Sequence, residues 1–189
     1  MDFRCKNIRL PRTAYIGRHW YFLTTCTQDR IAALNNSGLV RELLGTLAGR
    51  ADRERLAIQA YCFMPDHLHL LVSGESNDSE CMAFINSFKQ NSGFAFTQRT
   101  GQRLWQHKSY DHILRPGEPW GSVAFYIWMN PVRKRLCERP EEWPYSGSET
   151  VDWRRLLTPP EKLWTPPWKN RRSAGLQPGT VGGQTKMPG

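Results

Sequence analysis

The pattern of apolar positions begins with one run typical of a strand and one segment of helical periodicity. Residues 18–27 (RHWYFLTTCT) are rich in aromatic and β-branched side chains, which predicts a first strand. Between residues 39 and 51 apolar side chains recur every three or four positions, which predicts an amphipathic helix. Asn36 and Ser37 precede this helix and are its candidate caps.

Two further apolar runs follow within a short distance. Residues 56–64 (LAIQAYCFM) and 67–72 (HLHLLV) are separated only by Pro65-Asp66, a pair that interrupts regular structure. This arrangement predicts two neighbouring strands in the core.

The second half of the chain predicts helix, strand and helix in turn. After Ser79, a buried helical stripe is formed by Met82, Ile85 and Phe88, and Gly93 is expected to kink or end this helix. Residues 103–115 predict another strand and residues 118–135 a third helix. The order β-α-β-β-α-β-α, without a glycine-rich phosphate loop, predicts an α+β sandwich with helices packed on a central, mostly antiparallel sheet.

Composition divides the chain near residue 150. At 189 residues the chain is long enough for one domain with a sizeable core, which we assign to residues 1–150. Residues 151–189 are rich in proline, glycine and arginine, so we expect a flexible C-terminal tail there.

The net charge favours a polyanionic partner. The chain carries 26 Lys and Arg against 17 Asp and Glu, a formal charge of +9, and such a surface attracts phosphate. No run of eighteen apolar residues occurs, and no apolar stretch follows the charged N-terminus. We therefore expect a cytoplasmic protein without a membrane partner. The sequence also contains no nucleotide-binding motif, which predicts no nucleotide cofactor.

His67 and His69 are the first candidates for chemistry. On a strand, positions i and i+2 face the same side, so both imidazoles project from one face of the sheet. A divalent metal ion is one partner that satisfies two neighbouring core histidines, and Mn²⁺ or Mg²⁺ suits a site completed by oxygen ligands. The alternative is a pair of histidines hydrogen-bonded to backbone or water.

Tyr126 and Asn130 are the second candidates. They lie four residues apart in the predicted third helix and share one face if that helix continues. Pro131 disfavours helical geometry at Asn130, so the helix is expected to kink or end there. The alternative for Tyr126 is a buried packing residue.

Four segments in this order resemble the REP-associated tyrosine transposases, members of the HUH single-tyrosine group: YCFMPDHLHLLV, WQHKSYDHILR, YIWMNPVRKRL and EEWPYSG. The resemblance spans roughly residues 10–147. It implies that His67 and His69 are the metal ligands, that Tyr126 is the nucleophile and that Asn130 completes the metal site. It also implies an HUH-type α+β sandwich with a central antiparallel sheet.

The same resemblance implies a function. The protein is expected to be a metal-dependent endonuclease and strand transferase for single-stranded DNA, acting beside repetitive palindromic hairpins through a 5′-phosphotyrosine intermediate. Whether it works as a monomer or as a homodimer stays open. The candidate DNA-binding residues are Arg12, Arg18, Lys89, Arg115, Arg133, Lys134 and Arg135.

Two other functions are compatible with the sequence. One is a domesticated protein that binds DNA hairpins without transposing them. The other is a metal-dependent phosphodiesterase in which water replaces Tyr126 as the nucleophile. A lasting covalent adduct distinguishes the transferase from both.

Overall fold

The computed structural model describes residues 10–167. The helices and strands of this region are β1 (Trp20–Thr27), α1 (Ser37–Arg53), β2 (Leu56–Met64), β3 (His67–Gly74), α2 (Cys81–Thr100), β4 (Trp105–Ile113), α3 (Trp120–Trp128), α4 (Asn130–Arg133) and β5 (Ser146–Gly147). The predicted order of elements is confirmed, with two short additions, α4 and β5. No helix of residues 10–167 is long and apolar enough to cross a membrane.

The strands form one sheet in the order β4-β1-β3-β2-β5. Within residues 10–167, each strand of this sheet runs antiparallel to its neighbours. Strands β2 and β3 form a hairpin because Met64 pairs with His67 across the two-residue turn Pro65-Asp66. Strand β3 lies in the middle of the sheet. The predicted α+β fold class, with helices packed on a central antiparallel sheet, is confirmed.

The two faces of the sheet bury different sets of side chains, following the alternation along each strand. Leu68, Leu70 and Val72 of β3 pack in one core with the apolar stripes of α1 and α2. Leu71 packs in a second core on the opposite face, together with residues of α3 such as Ile127 and Trp128. His69 also projects from this second face, beside Phe22.

Two predictions about helix ends have different outcomes. The side chain of Asn36 accepts a hydrogen bond from the Leu39 amide at 2.9 Å, so Asn36 is the cap of α1. The prediction that Gly93 kinks or ends α2 is wrong, since the helix continues to Thr100. Packing along the helix outweighs the small helical penalty of one glycine, and the helix ends instead at Gly101, which has a φ of 70°.

The expected flexible tail is partly corrected. Within residues 151–167, Trp153 and Trp164 are buried in the second core, because two large indole rings bury enough apolar surface to order the backbone around them. This part of the chain thus packs on the sheet domain. Residues 168–189 lie outside the described residues, and the division into domains at residue 150 stays a prediction.

Candidate active site

The histidine pair of β3 occupies the sheet face that α3 covers. The Nε2 atoms of His67 and His69 lie 3.1 Å apart, and His69 is only 4% exposed. In the sheet, His69 lies opposite Thr24 of β1 and Cys62 of β2, both on neighbouring strands. The prediction that both imidazoles share one face is therefore confirmed.

The other ring nitrogen of each histidine has its own partner. His67 Nδ1 lies 2.5 Å from a carboxylate oxygen of Asp66, and His69 Nδ1 lies 2.8 Å from the hydroxyl of Thr24. A neutral imidazole carries one N–H, and an ionised Asp66 carboxylate can only accept, so the proton of His67 belongs on Nδ1. The same tautomer at His69 leaves two Nε2 lone pairs converging on one point.

Burial keeps this pair neutral. Desolvation lowers the pKa of His69 well below its usual value, and the neighbouring His67 and Arg133 lower it further. Desolvation also lowers the pKa of His67, although Asp66 opposes this shift. Two unprotonated nitrogens are the form in which histidines bind a metal ion.

The spacing of the pair fits two ligands of one metal ion. Two nitrogens about 2.1 Å from one ion and at roughly right angles to each other are about 3.0 Å apart. Two lone pairs facing each other also repel unless a cation or a proton lies between them. Within residues 10–167, no group of three or more His, Cys, Asp and Glu side chains is placed to hold a metal ion.

Asn130 is the predicted third ligand, and the structure gives its amide a role in the helix. Its Nδ2 donates to the carbonyls of Tyr126 at 3.0 Å and Ile127 at 3.2 Å. Pro131 has no N–H to offer Ile127, so the asparagine amide substitutes for it at the break between α3 and α4. The helix predicted for residues 118–135 is therefore divided into two, and the predicted interruption at Asn130 is confirmed. A metal contact through the Asn130 Oδ1 atom stays a prediction.

Tyr126 lies on α3 next to the histidine pair. Its ring centroid is 6.2 Å from that of His69 and 6.2 Å from that of Phe22, and the residue is 8% exposed. The guanidinium carbon of Arg133 lies 4.0 Å from the ring centroid, a cation–π contact, and Arg133 Nη2 donates to the Tyr126 carbonyl at 2.7 Å. Burial raises the pKa of Tyr126, while the charge of Arg133 acts in the opposite direction.

Trp164 is a site residue that the sequence analysis missed. Its ring centroid lies 5.1 Å from that of Tyr126, and its Nε1 donates to Glu118 at 2.9 Å. Glu118 also binds His112 Nε2 at 2.8 Å, which gives His112 a structural role. A tryptophan within a proline-rich segment was the one available signal, and it does not indicate which residues the ring contacts.

The predicted DNA-binding residues lie in different surroundings. Arg12 pairs with Glu80 at 2.8 Å, and Lys89 donates to the His107 carbonyl and the Ser109 hydroxyl, both at 3.0 Å, which links α2 to β4. The remaining five are exposed: Arg18, Arg115, Arg133, Lys134 and Arg135. Of these, Arg133 contacts Tyr126 directly, which sequence reasoning did not anticipate. Their contacts with DNA stay predictions.

Asp66 offers a test of the metal site that leaves both histidines in place. We expect Asp66→Asn to weaken Mn²⁺ binding by about tenfold, because the neutral amide holds the His67 ring less firmly and makes its Nε2 less basic. The free Mn²⁺ signal in electron paramagnetic resonance titrations measures this affinity.

Asp78→Asn is the matched control for that substitution. Asp78 pairs with Arg55 at 2.7 Å, much as Asp66 pairs with Arg30 at 3.1 Å, but Asp78 binds Ser76 rather than a histidine. Equal Mn²⁺ affinities in the two variants would contradict a role for Asp66 in the site.

Comparisons with known proteins agree with this architecture. The chain is 25% identical over 142 residues to a Haemophilus influenzae protein assigned to the REP-associated tyrosine transposases, covering 67% of this chain and 78% of that protein. It is 24% identical over 153 residues to the REP-associated tyrosine transposase of Escherichia coli K12, covering 75% of this chain and 88% of the relative. The predicted resemblance is thus confirmed.

A solved structure and a family model extend the comparison. A REP-associated tyrosine transposase bound to a REP hairpin has the same fold, with a TM-score of 0.64 at 22% identity, covering 80% of this chain and 89% of the other. The model of the family described as "Transposase IS200 like" matches residues 16–113, which include β1 to β4 and the histidine pair. Because this match spans just over half of the 189 residues, the chain belongs to the IS200-like transposase family.

Proposed function

We propose that this protein cuts and rejoins single-stranded DNA beside palindromic hairpins, with Tyr126 as the nucleophile. The observation that carries the proposal is the position of the Tyr126 ring against His69, whose Nε2 lies 3.1 Å from that of His67. A tyrosine next to a pair of neutral histidines combines a nucleophile with a metal site. The relative of known structure is bound to a REP hairpin, and we extend that class of partner to this chain.

The reaction is a phosphoryl transfer to tyrosine. The Tyr126 hydroxyl loses its proton to water, and its oxygen forms a bond to the scissile phosphorus. The bond from phosphorus to the 3′ oxygen breaks, and that oxygen takes up a proton from water. The products are a 5′-phosphotyrosine and a free 3′-hydroxyl. Attack by a 3′-hydroxyl on the phosphotyrosine reverses these steps and rejoins a strand. No ATP is required, since the covalent link conserves the phosphodiester bond.

His67, His69 and the Oδ1 atom of Asn130 would hold the ion, which we propose is Mn²⁺ or Mg²⁺. When bound there, such an ion supplies Lewis-acid polarisation of the scissile phosphate. Asp66 and Thr24 fix the two imidazole rings through their Nδ1 atoms.

Arg133 supplies electrostatic assistance to the attack by Tyr126. A phenol with a pKa near 10 is a poor nucleophile at neutral pH, and burial at this position raises the pKa of Tyr126 further. The guanidinium over the ring favours the phenolate and opposes that shift. The exposed basic residues Arg18, Arg115, Lys134 and Arg135 then provide phosphate contacts for a DNA partner in the cytoplasm.

The proposal is tested with hairpin oligonucleotides from the DNA that flanks the protein's own gene. One set carries a fluorophore at the 3′ end and a second set at the 5′ end. With Mn²⁺ or Mg²⁺, the 3′ label should migrate with the protein on a denaturing gel, and the 5′ label should appear in a shorter free strand. Excess EDTA should abolish both products.

Other results would identify the alternatives. Metal-dependent cleavage without any protein-linked label would support a hydrolytic phosphodiesterase. Tight hairpin binding without cleavage in either metal would support a DNA-binding protein that does not transpose.

A further inference from the structure

A cavity of about 340 Å³ opens beside Tyr126. Its lining includes Phe125, Met129 and Arg133, which lie on and after α3, together with Leu163 and Trp164 of the C-terminal segment. We call this space the α3 cavity. Its volume lies within the range of small-molecule pockets. Residues 163–166 supply part of its lining.

The lining of the α3 cavity favours a flat, apolar group. Most of its surface comes from aromatic and aliphatic side chains, and the charged group among them is the Arg133 guanidinium. An unstacked nucleobase has two apolar faces and a polar edge, and bases of single strands commonly stack on aromatic or guanidinium planes.

The C-terminal wall of the cavity is anchored by hydrogen bonds. The Trp164 indole donates to Glu118 at 2.9 Å, and the same carboxylate accepts from the Arg115 amide at 2.8 Å. Trp164 is accordingly only 9% exposed. The connection between β4 and α3 therefore holds this wall in place next to the reacting tyrosine.

We propose that the α3 cavity binds one unpaired base of the substrate strand, that of a nucleotide next to the phosphate attacked by Tyr126. This inference rests on the proposed function, because it is the role of Tyr126 that brings a single strand to the cavity. The strand must pass within bonding distance of Tyr126, which itself lines the cavity, so a neighbouring base has this space within reach. Residues 163–166 thereby become part of the substrate site.

The test scans the unpaired nucleotides of the hairpin oligonucleotide by replacing each base in turn with an abasic site. Binding is measured by fluorescence anisotropy in EDTA, so that no cleavage occurs. For the wild-type protein, one position should weaken binding by about tenfold, as expected for loss of a stacked base. In Trp164→Ala the same abasic site should weaken hairpin binding by less than about threefold, since part of the cavity wall is already missing.

Two leucines provide a matched pair that avoids disturbing the core. Leu163 lines the cavity and is 64% exposed, whereas Leu156 is 41% exposed and lies outside the lining. Leu163→Ala should reduce the loss of binding affinity that this abasic site causes. Leu156→Ala should leave that loss at the wild-type value.

Three results would overturn this inference while leaving the proposed function intact. In the first, no abasic position weakens binding more than the others. In the second, the same abasic site weakens binding equally in the wild type and in all three variants. In the third, Trp164→Ala binds the intact hairpin more tightly than the wild type does. The last would mean that the indole obstructs the site. Failure to bind any hairpin would instead overturn the proposed function and this inference together.

Discussion

Tyr126→Phe is expected to abolish the protein–DNA adduct and to lower strand cleavage by at least about a thousandfold, because it removes the only oxygen that forms the phosphotyrosine bond. The phenylalanine ring retains the contacts of Tyr126 with Phe22, His69 and Trp164. Folding and hairpin binding should therefore remain close to wild type. Denaturing gels with the 3′-labelled hairpin measure the adduct, and anisotropy measures binding.

Tyr110→Phe is the matched control for this substitution. Tyr110 lies on the same face of the sheet, with its ring centroid 6.3 Å from that of Phe22. Its variant should keep the adduct. An adduct that persists in Tyr126→Phe, or that disappears only in Tyr110→Phe, would assign the nucleophile to another residue.

His67→Ala is expected to weaken Mn²⁺ binding by about a hundredfold or more, because it removes one of the two neighbouring nitrogens that we propose hold the ion. Cleavage at micromolar Mn²⁺ should fall in parallel. Calorimetric titration measures the affinity, and the gel assay across a range of Mn²⁺ concentrations measures cleavage. His67 is preferable to His69 for this test, since His69 is more deeply buried and its removal would leave a hole in the second core.

His107→Ala serves as the control because His107 is an exposed histidine on β4. It should bind Mn²⁺ as the wild type does. If His67→Ala also kept wild-type affinity and activity, the pair would be a structural feature, held by the Asp66 and Thr24 side chains rather than by the backbone or water of the alternative derived from the sequence.

Much of the fold was predictable because it depends on local patterns. Alternation with a period of two placed His67 and His69 on one side of β3 and Leu68, Leu70 and Val72 on the other. Helical periodicity located α1, and the capping residue Asn36 marked its start. The prediction failed at Gly93, where a local preference was outweighed by packing along the helix.

The candidate site was predictable only in part. The sequence indicated that Tyr126 and Asn130 share a face and that Pro131 interrupts the helix there. It did not indicate that the Asn130 amide donates to the carbonyls of Tyr126 and Ile127. Residue roles at the site, including those of the metal ligands, stay predictions.

The sequence by itself determined where most of the strands and helices lie and which side of β3 carries the histidines, because these properties repeat over two to four residues. Only the tertiary structure decided the 3.1 Å approach of the two Nε2 atoms and the contacts of Arg133 and Trp164 with the Tyr126 ring. Trp164 lies 38 positions beyond Tyr126 in the chain, and no local periodicity relates residues at such a separation. Their contact depends instead on how the C-terminal segment packs against α3, which is a property of the folded chain as a whole.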